Sequence, residues 1–396
     1  MLMHTPLHPT EVAFFTECYR PIINGVVASI DGLRAGLDDA NVGVTIVAPH
    51  FPHERDDARA IVRLPSLPLP TSTGYRLCVP YLSPAARARI SRASIVHVHS
   101  PFVTGWLGAN IARRCGVPLV FTYHTRIDEY AHYAPFEPRI ARAAMIALTR
   151  GFANATDAVI VPTAAMQRRL REIGVRVPIA VVPSSIDVAQ FANGRRSFET
   201  RALLGVRDDA RIVLAVSRLA KEKHLERAID AIAHVRGAHL AIAGGGPDRA
   251  LLEARAAGRG VRERVHFTGA LAPAALPDVY ASADAFVFPS PTETQGLVLA
   301  EALAAGLPVV AVDTPVNREV LAGFGRLAAP DPVALGAALE TALAAGRDAA
   351  APEFARRRFG RPRQAESVIE VYRAISECRT FGTPVRDYVP GSESYR

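Results

Sequence analysis

The feature that most restricts this chain is an alternation that runs through it twice. In the first half, short apolar runs at residues 12–16, 44–48, 95–98 and 119–123 are separated by segments of helical spacing at 24–37 and 104–114. In the second half, runs at 212–216, 240–243, 265–268, 285–288 and 308–312 alternate with helical segments at 225–235 and 296–305. Runs that are apolar throughout read as strands buried on both faces, and the intervening helices supply the cover. Two doubly wound parallel units follow, and 396 residues exceed what one core of ordinary size holds. The pattern breaks near residues 189–200, where polar residues, Gly194 and two arginines intervene. A first domain is therefore expected over 1–190 and a second over 191–355. A basic segment then leads into a helix expected from about 363 to 376, within a stretch 356–380. The tail 381–396, rich in Gly, Pro, Ser and charge, reads as poorly ordered.

Composition narrows the class. With 49% apolar and 21% charged residues the chain is globular, without the apolar deficit of a disordered one. The first fifteen residues lack the basic patch and apolar core of a signal peptide. The longest uncharged stretch, 93–112, carries His97, His99, Pro101 and Asn110 and makes a poor membrane span. Four scattered cysteines show no metal spacing, so a reduced, cytoplasmic protein without a metal is expected. The net charge of +8 fits either a solvated surface or affinity for an anionic partner. Nucleic acid is a poor candidate, because the arginines are dispersed and aromatics few. Lys221 and Lys223 are the two lysines of the whole chain, which hints at a local need for ammonium groups.

In open α/β sheets, ligands bind beyond the carboxyl ends of strands. After the first run, Gly25 stands at the mouth of a helix, either as a plain turn glycine or as a point where N–H groups approach a phosphate. His124 follows a β-rich run directly and is expected to project into a cleft; His97 and His99 read as structural or peripheral. Arg218 and Lys223 converge on one strand end, as a diphosphate requires: the guanidinium forks two oxygens and the ammonium adds a point charge. A solvated charge run is the competing explanation. Gly244, Gly245 and Gly246 before a helix suggest a phosphate loop but lack the GxGxxG spacing, and tight packing explains them equally. No Ser or Cys nucleophile with partners stands out.

The segment PTETQGLVLAEALAAGLPVVA sets Glu293 and Glu301 eight apart. On one continuous helix they would be rotated by about 80° and share no face. Pro289, Pro291 and Gly296 instead place Glu293 in a loop and start the helix near Gly296, with N–H groups around residues 294–297 facing an anion. Carboxylates beside an anion site are tolerable if each accepts hydrogen bonds from hydroxyls, and sugar hydroxyls meet that demand.

ETQGLVLAE resembles the E-x7-E element of retaining glycosyltransferases of family 4, and PIINGVVASI, VHVHSP, VFTYHT, SRLAKEKHLE, AGGGPDRALLE, RVHFTG and ALAAGLPVVA agree in order up to about residue 375. The resemblance implies the GT-B fold: two Rossmann-like domains facing across a cleft, with the C-terminal helix packing back on the first. It implies a hexosyltransferase that needs no cofactor and uses a UDP- or GDP-sugar. Gly25 would line the sugar-diphosphate site, and Arg218 and Lys223 would neutralise the diphosphate in place of a metal. Glu293 would hold the transferred sugar and Glu301 the ribose, with N–H groups of Gln295, Gly296 and Leu297 nearby. Gly245 and the backbone of His266 and Phe267 would complete the donor site, and His124 would face the reacting sugar. The sequence departs from the family's P-N-G-I-D with Pro183-Ser184-Ser185-Ile186-Asp187, which puts in question the loop at the interdomain boundary.

TYHTRIDEYAHYAP resembles, within the family, enzymes that glucosylate diacylglycerol, with lipid-directed mannosyltransferases as close relatives. A lipid acceptor and a peripheral position on the inner face of the cytoplasmic membrane are the corresponding expectations. SPAARARISRAS and PRIARAAMIALTR could form helices suited to such contact or plain surface helices. Residues 1–190 carry 19 basic against 14 acidic residues, a mild bias in the same direction. A soluble or polysaccharide acceptor, a sugar-nucleotide epimerase of the same fold and a non-catalytic nucleotide-sugar binder are the rival readings.

Overall fold

The structure, a computed structural model, describes residues 9–52, 54, 60–69, 74–133, 137–207, 209–382 and 387. Most of the tail expected to be poorly ordered lies outside them. The chain divides into one unit of residues 1–185 with 361–396 and another of residues 186–360. The first division falls five residues before the expected boundary of 190. The segment 189–200 forms the helix Val188–Ala192 and the start of the helix Phe198–Leu203 within the second unit.

The first unit contains strands β1 (Glu11–Phe15), β2 (Gly43–Pro49), β3 (Ile61–Leu64), β4 (Ser66–Pro68), β5 (Arg76–Cys78), β6 (Ile95–Val98), β7 (Leu119–Thr122), β8 (Ala158–Val161) and β9 (Ile179–Val181). Seven of them form one sheet in the order β3-β2-β1-β6-β7-β8-β9, with every pairing parallel. The other two pair antiparallel as a separate ribbon. In the second unit, β10 (Arg211–Val216), β11 (Ala238–Ala243), β12 (Val265–Gly269), β13 (Ala285–Phe288), β14 (Val309–Val312) and β15 (Gly325–Ala328) form a parallel sheet. Its order is β12-β11-β10-β13-β14-β15. The apolar runs therefore do what their lack of alternation requires: β1, β6, β7 and β13 are buried along their lengths save for Glu11.

Both sheets reverse direction of growth once, between β1 and β6 and between β10 and β13. A crevice opens at such switch points, because the loops leaving the two neighbouring strands run to opposite faces. Arg218 and Lys223 follow β10, and Glu293 follows β13.

The C-terminal segment forms two helices, Ala351–Phe359 and Arg361–Phe381, where one crossover stretch over 356–380 was expected. The break comes at Gly360, whose backbone is extended, just ahead of Arg361-Pro362, a pair that resists helical continuation. The second helix lies on Gly25–Asp39, and a Cβ on Gly36 would stand 2.8 Å from the Arg361 carbonyl oxygen. Ala365, Val368, Ile369, Tyr372 and Ile375 enter the same apolar core as Val12, Ile30 and Leu33. Ser185, which stands at the glycine position of the P-N-G-I-D pattern, donates from its N–H and hydroxyl to Gln364 Oε1 at 3.2 and 2.7 Å. The departure in this loop thus ties the end of the first unit's main segment to its returning helix.

Candidate active site

In the second unit the switch point carries four charges in two bonded pairs. Arg218 Nη2 donates to Glu222 Oε1 at 2.6 Å, and Lys223 Nζ donates to Glu293 Oε1 at 2.5 Å. The loops after β10 and β13 are clasped together by the Glu222 carbonyl oxygen, which accepts from Ser290 Oγ at 3.2 Å and Thr292 Oγ1 at 3.1 Å. Side-chain exposure differs sharply within the set: 3% for Glu222 against 20% for both Lys223 and Glu293. The Arg218–Glu222 pair is anchored from its buried carboxylate, while Arg218, at 36%, and the Lys223–Glu293 pair stay partly accessible.

Glu293 stands in the loop and the helix Leu297–Ala304 starts directly after Gly296, as the proline and glycine spacing required. Gly296 has φ +77°, and a Cβ there would lie 2.9 Å from Phe288 Cζ, so the turn presenting Gln295 and Leu297 admits only glycine without rearrangement. Gln295 is buried, and the helix start carries no side-chain cap. Glu301, on the second turn, accepts from Tyr280 Oη at 2.6 Å. It keeps part of its surface open, yet the crowding around its carboxyl pushes its pKa up to about 7 against the opposing pull of the Tyr280 hydroxyl.

The triple glycine serves the same loop. Leu219 N–H donates to Gly245 O at 2.9 Å, and Gly244, at φ +153°, packs so closely that a Cβ would stand 1.8 Å from Ser217 O. His266 and Phe267 lie on the edge strand β12, two strands from β10. His266 Nε2 is 2.9 Å from His239 Nδ1, and the Arg249 guanidinium lies over the Phe267 ring at 5.7 Å. His266, Phe267 and Arg249 border a cavity of about 480 Å³ also lined by Leu203, Gly205 and Arg262. The structure bonds Arg218, Lys223 and Glu293 into one cluster and leaves His266 and Phe267 at the sheet's edge.

Gly25 and His124 belong to the first unit. Gly25 is the exposed first residue of Gly25–Asp39, whose N–H of Val27 is capped by Asn24 Oδ1 at 2.9 Å. His124 is more enclosed than a freely projecting ring. Its Nε2 lies 2.8 Å from His99 Nδ1, and the two rings stack at 5.1 Å. His99 in turn stacks on His97 at 4.4 Å, and His97 contacts Tyr372 Oη and Thr122 Oγ1, each at 2.6 Å. Burial lowers the pKa of all three histidines, to about 4 for His124 and about 3 for His97. They are neutral at neutral pH, so one ring N–H links His99 and His124. His99, expected to be structural or peripheral, directly supports the candidate residue; its two-residue offset from His97 was the available signal, since i and i+2 share a strand face.

Glu222, Tyr280 and Ser290 also escaped the sequence reading. Glu222 had a signal, being the acid between the two lysines, whereas Tyr280 and Ser290 are set by tertiary approach alone. Among the described residues no three His, Cys, Asp or Glu side chains converge as a metal site requires.

Two parallel, doubly wound units with cations at a switch point define the class of GT-B glycosyltransferases, and solved structures of that fold superpose on the chain. That of Anabaena HepE in complex with UDP-glucose gives a TM-score of 0.69 at 18% identity, over 92% of this chain and 99% of the other. WaaG, a glycosyltransferase involved in lipopolysaccharide biosynthesis, gives 0.64 at 18% identity, over 94% and 100%. The profile of Glycosyltransferase Family 4 matches residues 23–190 and that of Glycosyl transferases group 1 matches residues 197–353. The alpha-monoglucosyldiacylglycerol synthase of Streptococcus pneumoniae is 31% identical over 84% of this chain and 78% of its own. A GDP-mannose-dependent alpha-(1-6)-phosphatidylinositol dimannoside mannosyltransferase of Mycobacterium tuberculosis is 31% identical over 92% and 94%. The chain belongs to glycosyltransferase family 4.

Proposed function

We propose that the protein transfers a hexose from a UDP- or GDP-sugar to a lipid hydroxyl, with retention of anomeric configuration and without a metal, at the inner face of the cytoplasmic membrane. The observation that carries this reading is the bonded quartet Arg218, Glu222, Lys223 and Glu293 at the β10–β13 switch point. Two cations are held there by carboxylates, and a diphosphate offers Lys223 a stronger partner than Glu293. Released from Lys223, Glu293 can accept hydrogen bonds from sugar hydroxyls, and Glu301 from the ribose. The lipid acceptor is supported by the two relatives, whose names contain monoglucosyldiacylglycerol and phosphatidylinositol dimannoside.

Breaking the bond from the anomeric carbon to the phosphate oxygen builds negative charge on the diphosphate. Arg218, Lys223 and the N–H groups at the start of Leu297–Ala304 stabilise that charge more in the transition state than in the ground state. The acceptor oxygen bonds to the same face of the sugar, and its proton passes to the departing phosphate oxygen. His124, neutral, offers a sugar hydroxyl a hydrogen-bond partner; with a pKa of about 4 it is a weak base.

A panel of UDP-, GDP- and ADP-sugars, read by thermal shift and then by nucleoside diphosphate release, tests the proposal. Release that requires diacylglycerol or another lipid alcohol is the expected result. Conversion of donor without acceptor identifies an epimerase, binding without any turnover identifies a non-catalytic binder, and release with soluble sugars alone overturns the lipid reading.

A further inference from the structure

The ribbon of β4 and β5 is patterned inside out. Leu67 and Leu77 face each other across the ladder and are 60% and 47% exposed. Leu69, Val79 and Tyr81, at two-residue intervals from them, are exposed as well. The polar members turn inward: Arg76 Nε donates to Ser66 Oγ at 2.8 Å and its guanidinium lies over the Phe51 ring, while Cys78 is buried. A ribbon facing water places its polar residues outward. The charge of the surrounding sequence is equally one-sided. Residues 60–127 hold eight arginines and no aspartate or glutamate, so this stretch carries the whole chain's net +8. Arg87, in the helix Pro84–Ile90 that follows Tyr81, and Arg92, two residues past its end, are exposed.

We infer that the outer face of the β4–β5 ribbon is a membrane-docking surface, which inserts Leu67, Leu77 and Tyr81 among acyl chains while the neighbouring arginines meet anionic headgroups. A second copy of the chain is a poorer occupant, because a two-fold contact would set the same acid-free stretch against itself. The inference rests on the lipid-acceptor reading for its purpose but not for its test. Flotation of the full chain is measured with phosphatidylcholine vesicles, with and without about 30% phosphatidylglycerol. The protein is expected to float with the anionic vesicles, and Leu67→Glu/Leu77→Glu to reduce the bound fraction about tenfold while leaving turnover of a water-dispersed short-chain diacylglycerol within twofold. Arg87→Gln/Arg92→Gln should weaken flotation at low salt more than at high salt. Undiminished flotation of the leucine variant, or a native dimer that this variant converts to monomer, overturns the inference. Normal flotation with no transfer to any lipid alcohol supports the surface and overturns the acceptor reading.

A separate observation concerns Tyr280. Its side chain is fully buried and its ring is fixed by Phe286, stacked at 5.5 Å, and Phe191, edge-on at 5.4 Å. Its hydroxyl donates to Glu301 Oε2, which leaves Oε1 for a ligand. We infer that Tyr280 is the positioning residue that aims Glu301 at the ribose, an inference that rests on the donor reading above. Tyr280→Phe is expected to raise the donor KM about tenfold with kcat within threefold, and the penalty should vanish with a donor whose ribose lacks its 2′ and 3′ hydroxyls. A silent Tyr280→Phe beside a damaging Glu301→Gln overturns this inference alone; a silent Glu301→Gln overturns the donor reading as well.

Discussion

The two sheets solve the same problem at their strand ends with opposite chemistry. In the first unit, His97, His99 and His124 form a stack of neutral rings, tied to Tyr372 and Thr122 and kept uncharged by burial. In the second, Arg218, Glu222, Lys223 and Glu293 are ions held partly in reach of solvent. Neutral rings in a dry setting hold a geometry, and the cost of charging them makes them poor sites for electrostatic work. Paired ions can exchange one partner for a ligand, and that is what binding a diphosphate demands.

The largest effect is expected from the ions. Lys223→Ala and Arg218→Ala should each lower turnover by about 10²- to 10⁴-fold, measured as nucleoside diphosphate release with lipid acceptor. Their effects on stability should differ. Glu293 has solvent to fall back on, so Lys223→Ala should melt close to the native protein. Arg218→Ala removes the guanidinium from the buried Glu222 carboxylate and should cost about 1–3 kcal/mol, recovered in Arg218→Ala/Glu222→Gln without recovery of activity. Near-normal rates in both single variants remove the diphosphate assignment.

The ring stack should reveal itself through acid. The folded pKa of each histidine lies below its ordinary 6.5, to about 3 for His97 and about 4 for His124. Stability from neutral rings is complete above pH 6.5 and is lost as pH falls toward 4, because the unfolded chain takes up protons that the folded one refuses. With three such rings the slope approaches about 4 kcal/mol per pH unit in that window. Trp106, the one tryptophan of the chain, lies in the first unit, so urea titrations followed by its fluorescence at pH 7.5, 6 and 5 read this directly. A midpoint that does not move would erase the contrast between the units.

A smaller effect separates neighbours in the triple glycine. Gly244→Ala drives a Cβ into Ser217 O and demands a positive φ, while the nearest atom to a Cβ on Gly245 is 3.7 Å away. Gly244→Ala should cost about 2–4 kcal/mol and disturb the Arg218 loop, and Gly245→Ala should be within about 0.5 kcal/mol of native. Equal thermal shifts for the two would show that the loop gives way.

Much of this was legible in the sequence because burial on both faces leaves no alternation. The runs at 95–98 and 285–288 match β6 and β13 residue for residue. Strands β3, β4, β5, β8, β9 and β15 were missed: Arg63, Arg76 and Arg326 interrupt β3, β5 and β15, while β8 and β9 are apolar throughout and were passed over. The positions of Arg218, Lys223 and Glu293 beyond strand ends follow from local punctuation, since Gly296 and the prolines fix where the last helix starts. What local signals cannot give is which ion finds which partner. Sugar hydroxyls suggested themselves for Glu293 and phosphate for Lys223, yet the two side chains bind each other. The linkage of Ser185 to Gln364, 179 positions apart, was equally invisible, as it depends on the return of the last helix.

The subtlest expected effect lies between the two regimes, at Glu301. Its carboxyl is crowded like the histidines yet must be ionised to accept hydroxyl hydrogen bonds on both oxygens. With the pKa raised from 4.5 to about 7, its contribution to stability is complete below pH 4.5 and is lost as pH rises through 7. Glutamine in its place cannot ionise and still accepts from Tyr280. Glu301→Gln should therefore be more stable than the native protein at pH 8, by about 1–2 kcal/mol after allowance for solvent screening, and nearly equal to it at pH 5. The same substitution should raise donor KM most at pH 8, where the native residue is charged. Parallel stability curves for the two proteins from pH 5 to 8 would mean that Glu301 is charged throughout, and would group it with the open ion pairs of the switch point.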